Sequence, residues 1–398
     1  MYLTLSKVFR LMGLFLVAIL LFGPVSADEP AGQPGASLTA GPGPSAQRWD
    51  ELLASWISDP ADTTCDAPGG VLLVDNAGSR YLNAAGIASI ENRRAIDIKD
   101  RFEIGSNTKS FTVVLALQLQ EEGLLSMDDL LIKWLPGLAA KIPAGDRITL
   151  RQLAGNRSGI RDYADPLMQP MVDSNDQQGM AREYAPTDLV EYAIDLGVAS
   201  FGPGDSWEYS STNFILLGLV VEAVTNRTLS ELFQERVFDV LGMDDSSYPK
   251  TPPAEGGMVN GYYTTPTGEQ VDVTDWNLTQ GGAAGGIIST AADMALYASG
   301  LFYGKLFKMD KTLKEMTEFT ALTLAQGGGI MQGYGLGLIS YATNGFHAIG
   351  HSGQTPGFQT LWFYVPETES TLVFLTNSGS CPAGLMPLML PASAFDSH

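Results

Sequence analysis

Ser106 and Lys109, with Asn107 and Thr108 between them, put a hydroxyl and an amine three residues apart. On a helix that opens at Ser106 these positions share a face, so the lysine nitrogen can reach the serine oxygen. A serine hydroxyl is a weak nucleophile at neutral pH and needs a base within hydrogen-bond reach to attack a carbonyl. The surroundings support this reading: Gly105 precedes the pair and Phe111 to Leu117 continues it as an apolar run, and a lysine inside an otherwise apolar helix is costly unless it is paired or neutral. A second Ser-x-x-Lys, Ser247 to Lys250, contains Pro249 and is followed by Pro252-Pro253, which forbid the required helix.

Two further segments join the pair. Tyr209 stands just ahead of a helix predicted from Asn213, and His351-Ser352-Gly353 ends a predicted strand, Phe346 to Ser352. Singly, a tyrosine reads as a packed aromatic and a histidine as a satisfied strand residue. Taken jointly with Ser106 and Lys109, they are not explained by those separate readings. No metal is expected, because His347, His351 and His398 lack ligand spacing. No cofactor is expected either: the glycine runs 281–286 and 333–337 match neither a phosphate loop nor the dinucleotide fingerprint. The nucleophile-elbow pattern fails at Gln354 in Gly350-His351-Ser352-Gly353-Gln354.

The elements that must position these residues divide into three blocks. Gly70 to Gly78 and Arg80 to Ala85 read as a strand pair. Tyr334 to Tyr341, Phe346 to Ser352, Gly357 to Val365 and Thr371 to Asn377 read as consecutive antiparallel strands. Between them the periodicity predicts helices over Ser110–Glu122, Thr187–Leu196, Asn213–Thr225, Leu229–Leu241, Thr290–Phe302 and Lys311–Ala325. The expected fold class is α+β: an antiparallel sheet built from both chain ends, flanked by helices, with an inserted mainly helical lobe and the site in the crevice.

The 398 residues carry a net charge of −21, which disfavours nucleic acid and anionic lipid as partners. Lys7 and Arg10 precede an apolar run, Leu11 to Gly23, and Val25-Ser26-Ala27 offers a cleavage site, so residues 1–27 read as a signal peptide. That run is too short to span a bilayer comfortably, and no stable membrane anchor is expected. Residues 28–48, rich in Gly, Pro, Ala and Ser, read as a flexible spacer, leaving 49–398 as the folded domain of a periplasmic or secreted protein. Cys65 and Cys381 are the only cysteines; in an exported chain they form a candidate disulfide or remain two buried thiols.

In order and approximate spacing, Ser-x-x-Lys, then Tyr209 about 100 residues on, then His351-Ser352-Gly353 about 140 later resemble the motifs of serine β-lactamases and penicillin-binding proteins. The chain is most similar to the class C β-lactamase and D-Ala-D-Ala carboxypeptidase branch. Leu153 to Tyr163, Ala283 to Asp293 and Tyr334 to Leu338 add to that resemblance. It implies that Ser106 attacks the carbonyl while Lys109 and Tyr209 share the proton. It implies also that Ser352 and His351 line the wall for a substrate carboxylate, with His351 feeding protons to Tyr209, and that backbone N–H groups of Ser106 and Gln354, beside Gly353, form the oxyanion hole. Neighbouring terminal strands in that family's sheet imply a Cys65–Cys381 bridge.

The chain departs from the family pattern twice. Ser211 stands where the second motif usually has Asn, and His351 where most true β-lactamases have Lys. The expected activity is therefore a serine hydrolase acting through an acyl-enzyme on D-amino-acid peptides as a D-Ala-D-Ala carboxypeptidase or D-amino-acid peptidase, with weak β-lactam hydrolysis. A carboxylesterase is the alternative within enzymes, and a non-catalytic penicillin-binding module the alternative outside them.

Overall fold

The computed structural model describes residues 44–57, 67–76, 79–197, 201–248, 257–265, 267–326, 328–343 and 345–380, with 385, 387, 388, 390, 391, 394 and 395 near the C-terminus. Its centre is a nine-stranded antiparallel sheet in the order β3-β2-β1-β13-β12-β11-β10-β9-β8. The strands are β1 (Gly69–Asn76), β2 (Ser79–Ser89), β3 (Arg94–Ala95), β8 (Thr320–Ala321), β9 (Met331–Tyr334), β10 (Ile339–Thr343), β11 (Phe346–Thr355), β12 (Phe358–Val365) and β13 (Ser370–Thr376). Two small pairs lie outside it: β4 (Phe102–Glu103) with β7 (Ile288–Ser289), and β5 (Tyr262–Thr264) with β6 (Gln270–Asp272). The α+β architecture with a sheet assembled from both ends of the chain is as expected: β1 runs antiparallel to β13, from Gly70 opposite Thr376 to Asn76 opposite Ser370.

The middle of the sheet is apolar on both faces because helices cover both. Trp362 and Tyr364 point to one side, where Phe302 stacks on Tyr364 at 4.4 Å and Tyr297 meets Trp362 edge-on at 5.4 Å. Phe374 points to the other side, against Trp56 at 5.1 Å. The covering elements are residues 51–56 of α1 (Pro44–Trp56) and α8 (Ala291–Phe302); between them in sequence come α2 (Thr108–Glu121), α3 (Leu150–Ala154), α4 (Ala164–Asp173), α5 (Pro186–Asp195), α6 (Ser211–Thr225) and α7 (Gly282–Gly285), and α9 (Asp310–Met316) follows. Both α2 and α6 are buried over most of their length, so their sequences carry almost no amphipathic stripe.

Several boundaries differ from expectation. α1 begins at Pro44, so the last residues of the expected spacer are helical. The strand expected over Tyr334 to Tyr341 is two strands, because Gly337 turns at φ +68° and sends the chain back on itself. The helix expected over Lys311–Ala325 stops at Met316, and Thr320–Ala321 joins the sheet edge instead. β11 runs on through Gln354 and Thr355, paired with β12 as far as Thr355 opposite Phe358. The expected signal segment and both members of the expected disulfide, Cys65 and Cys381, lie outside the described residues.

Candidate active site

A tight 3-10 turn, Gly105–Asn107, feeds directly into α2 and carries Ser106. Gly105 adopts φ +51°, and a Cβ there would sit 2.7 Å from the Gln354 nitrogen, so glycine is needed both for the turn and for the close approach of β11. The Asn107 side chain pins the turn to the sheet by donating to the Ile104 carbonyl at 2.8 Å and to Thr360 Oγ1 at 2.7 Å. One helical turn on, Lys109 Nζ lies 2.9 Å from Ser106 Oγ.

The surroundings of Lys109 explain what it can do. Nζ also donates to the Ala284 carbonyl at 2.9 Å and lies over the rings of Tyr209, at 4.9 Å, and Phe214, at 5.4 Å. The side chain is 1% exposed, and burial drives its pKa well below the usual lysine range, against the opposing pull of Asp162 and Asp165. A free amine is therefore accessible near neutral pH, in contact with the serine oxygen.

The glycine-rich segment 281–286, which reads in sequence only as close packing, delivers the Ala284 carbonyl. Three residues of α2 hold it: Thr108 Oγ1 accepts from the Ile287 N–H at 3.1 Å, Lys109 donates to Ala284, and Thr112 Oγ1 donates to the Ala283 carbonyl at 2.7 Å. Gly218 of α6 permits the approach, since a Cβ there would lie 2.5 Å from the Ala283 Cβ.

Tyr209 precedes α6, which starts at Ser211. Burial pushes its pKa far above the ordinary phenol value, against the opposing influence of the nearby Ser106 hydroxyl, so the group is a protonated phenol. Ser106 and Tyr209 are half-buried. Asn213 is not available as a replacement amide. Its Nδ2 donates to Asn156 Oδ1 at 2.9 Å and its Oδ1 accepts from Ser158 Oγ at 2.5 Å, all within the core. Ser211 is buried, and its backbone N–H donates to Asp162 Oδ1 at 3.0 Å.

β11 pairs with β10 only as far as Gly350 opposite Ile339. The following residues, His351 to Thr355, keep β12 as partner and border the Ser106 turn on their other edge. Gly353 is required there, because a Cβ would fall 1.9 Å from the Ile104 carbonyl oxygen. Gln354 is exposed, its side chain donating to the Gly379 carbonyl at 2.7 Å, and Ser352 is half-buried.

His351 is 1% exposed, and burial with the nearby Lys109 pulls its pKa down to about 3. Its Nδ1 lies 2.5 Å from the Ser352 carbonyl, which can only accept, so Nδ1 carries the hydrogen. Nε2 is then an acceptor, and the Tyr334 hydroxyl donates to it at 3.3 Å. This neutral ring, committed at both nitrogens, supplies no positive charge to the cleft.

Asp162 and Asp165 are the residues that motif reading missed. They sit at the start of α4, and they are the charged side chains that act on both Lys109 and Tyr209. Asp162 Oδ1 accepts from the N–H groups of Ala164 at 3.1 Å and Ser211 at 3.0 Å, while Oδ2 takes no hydrogen bond among the described residues. Burial raises its pKa, and the two N–H donors and Lys109 oppose that rise. The available signal was Arg157-Ser158-Gly159-Ile160-Arg161-Asp162, a glycine-containing loop ending in an acid, although nothing local says that it faces Lys109.

Among the described residues no cluster of His, Cys, Asp and Glu could hold a metal, and no helix is long and apolar enough to cross a membrane. A penicillin-binding protein of Bacillus subtilis (strain 168) is 25% identical over 323 residues, spanning 78% of this chain and 68% of its own. A D-aminopeptidase of Brucella anthropi is 26% identical over 341 residues, 81% of this chain but only 58% of the relative. The fold matches a D-stereospecific amidohydrolase from Streptomyces sp. with a TM-score of 0.76 at 28% identity, over 86% of this chain and 98% of the other. The beta-lactamase family model matches residues 50–384, and the chain, a serine hydrolase by its relatives, belongs to that family.

Proposed function

We propose that the protein hydrolyses amide bonds of small D-amino-acid derivatives whose α-amine is free, as an aminopeptidase or amidase. The observation that carries this reading is the sign of the charge in the cleft. Asp162 and Asp165 act on Lys109 and Tyr209, whereas His351 is neutral. An ammonium group is complementary to such a wall, and a carboxylate is repelled by it. D-aminopeptidase and D-stereospecific amidohydrolase among the similar proteins support the same substrate class.

In this mechanism the neutral Lys109 takes the Ser106 proton as Oγ attacks the substrate carbonyl. The oxyanion is received by the N–H groups of Ser106 and Gln354. Tyr209, a phenol at working pH, relays the proton to the leaving amine and is reprotonated from Lys109. Water, activated by the same lysine, then releases the acid and restores Ser106. His351 and Tyr334 orient the wall without changing charge.

Rates on D-alanine amide, its N-acetyl form, a D-alanyl-D-alanine peptide with blocked amine, and a penicillin test the assignment. Turnover of the free-amine amide exceeds the others, and Ser106→Ala abolishes it. Preference for the blocked peptide would overturn the aminopeptidase reading. Export of the chain and a Cys65–Cys381 bridge belong to the same proposal. They predict a mature N-terminus at Asp28 and no titratable thiol in the denatured, unreduced protein.

A further inference from the structure

Glu103 is 1% exposed, and neither carboxyl oxygen has a hydrogen-bond partner among the described residues. It sits on β4, three residues before Ser106, with its backbone paired to Ile288 of β7. Thr355, at the end of β11 next to Gln354, is the neighbouring side chain that acts on it; the Thr355 hydroxyl is likewise buried with no hydrogen-bond partner among the described residues. The chain between them is already in close contact, since a Cβ on Gly105 would meet Gln354 backbone atoms at 2.7 to 2.9 Å.

A buried carboxylate with no donor is costly, whereas a neutral carboxylic acid brings its own O–H. We propose that Glu103, as the neutral acid, is a positioning residue: its O–H is donated to the Thr355 hydroxyl and braces the Ser106 turn against the Gln354 end of β11.

The charges around the site leave it neutral. Burial favours the neutral acid, and the only other influence on Glu103, the Thr355 hydroxyl, opposes it without overcoming it. On the β7 side the next carboxyl, Asp293, is tied to Ser246 Oγ at 2.8 Å and the Asp245 N–H at 3.0 Å. Burial pushes the Glu103 pKa up to about 8. The folded protein therefore holds a proton that the unfolded chain loses near pH 4.5, and stability falls as pH rises from there to about 8. Above about 8, the acid ionises in the fold and the brace is lost.

Labelling of Ser106 by an uncharged fluorophosphonate isolates acylation from the protonation of any substrate amine. Across about pH 6 to 10, the wild-type labelling rate first rises as Lys109 deprotonates, then declines severalfold above about pH 8. Glu103→Gln, neutral at every pH, keeps the rise and loses the decline, and its melting temperature varies less over the same range. An unchanged alkaline decline in Glu103→Gln, or none in the wild type, overturns the proposal. Should that variant not fold, difference infrared spectroscopy of the wild type decides: a carboxylic-acid carbonyl band at pH 6.5 that vanishes by about pH 10 supports the brace, and its absence refutes it. Thr355→Val, which removes the acceptor, lowers the labelling rate at neutral pH, and full retention of that rate contradicts the pairing.

Discussion

Replacing Asp162 by Asn separates the charge of this side chain from its scaffolding. Both structural hydrogen bonds, from Ala164 and Ser211, converge on Oδ1, and an asparagine Oδ1 accepts them equally well. What is lost is the negative charge and the acceptor at Oδ2. A hydrogen bond to a charged partner is worth about 1.5–3 kcal/mol, so kcat/KM on D-alanine amide should fall roughly 10- to 150-fold. On an uncharged ester, which makes no such contact, that loss is absent. The acid limb of the pH profile moves as well. Asp162 raises the pKa of Lys109, so its removal lowers that pKa further and shifts the rise of ester hydrolysis to lower pH. Steady-state kinetics on both substrates between about pH 5 and 9 measure both effects. Equal losses on ester and amide, or an acid limb displaced upward, would refute the assignment of Asp162 as the ammonium partner.

Tyr209→Phe removes the phenol that relays the proton and should lower acylation by about two orders of magnitude or more, read as pre-steady-state acylation, with little change in melting temperature. His351→Gln should blunt acid unfolding: the folded protein keeps this ring neutral down to about 3 while the unfolded chain protonates it near 6.5, so the ring's contribution is lost as pH falls through that window. Equal acid sensitivity of the two proteins in thermal melts would contradict the buried neutral tautomer. Gly353→Ala would place a methyl 1.9 Å from the Ile104 carbonyl and 2.6 Å from Thr360 Oγ1, costing about 1–3 kcal/mol or more in urea unfolding and displacing the oxyanion edge.

Local spacing determined the part of this protein that one helical turn or one strand can encode. Ser106 and Lys109 meet because residues three apart share a helix face, Pro249 disqualifies the second Ser-x-x-Lys without any fold, and β-branched runs at both ends announced the sheet. Tertiary structure decided everything that depends on residues distant in sequence. Which way 334–341 folds rested on the left-handed Gly337, and whether 320–321 is helix or strand rested on an available sheet edge. Ala284 reaches Lys109 only because Gly218 lets α6 and α7 touch. Charge state was the least legible of all. Lysine, histidine, tyrosine and aspartate carry their usual pKa values in a sequence, and only burial, which no local pattern specifies, makes Lys109 a base, keeps His351 neutral, holds Tyr209 protonated and sets Asp162 beside them.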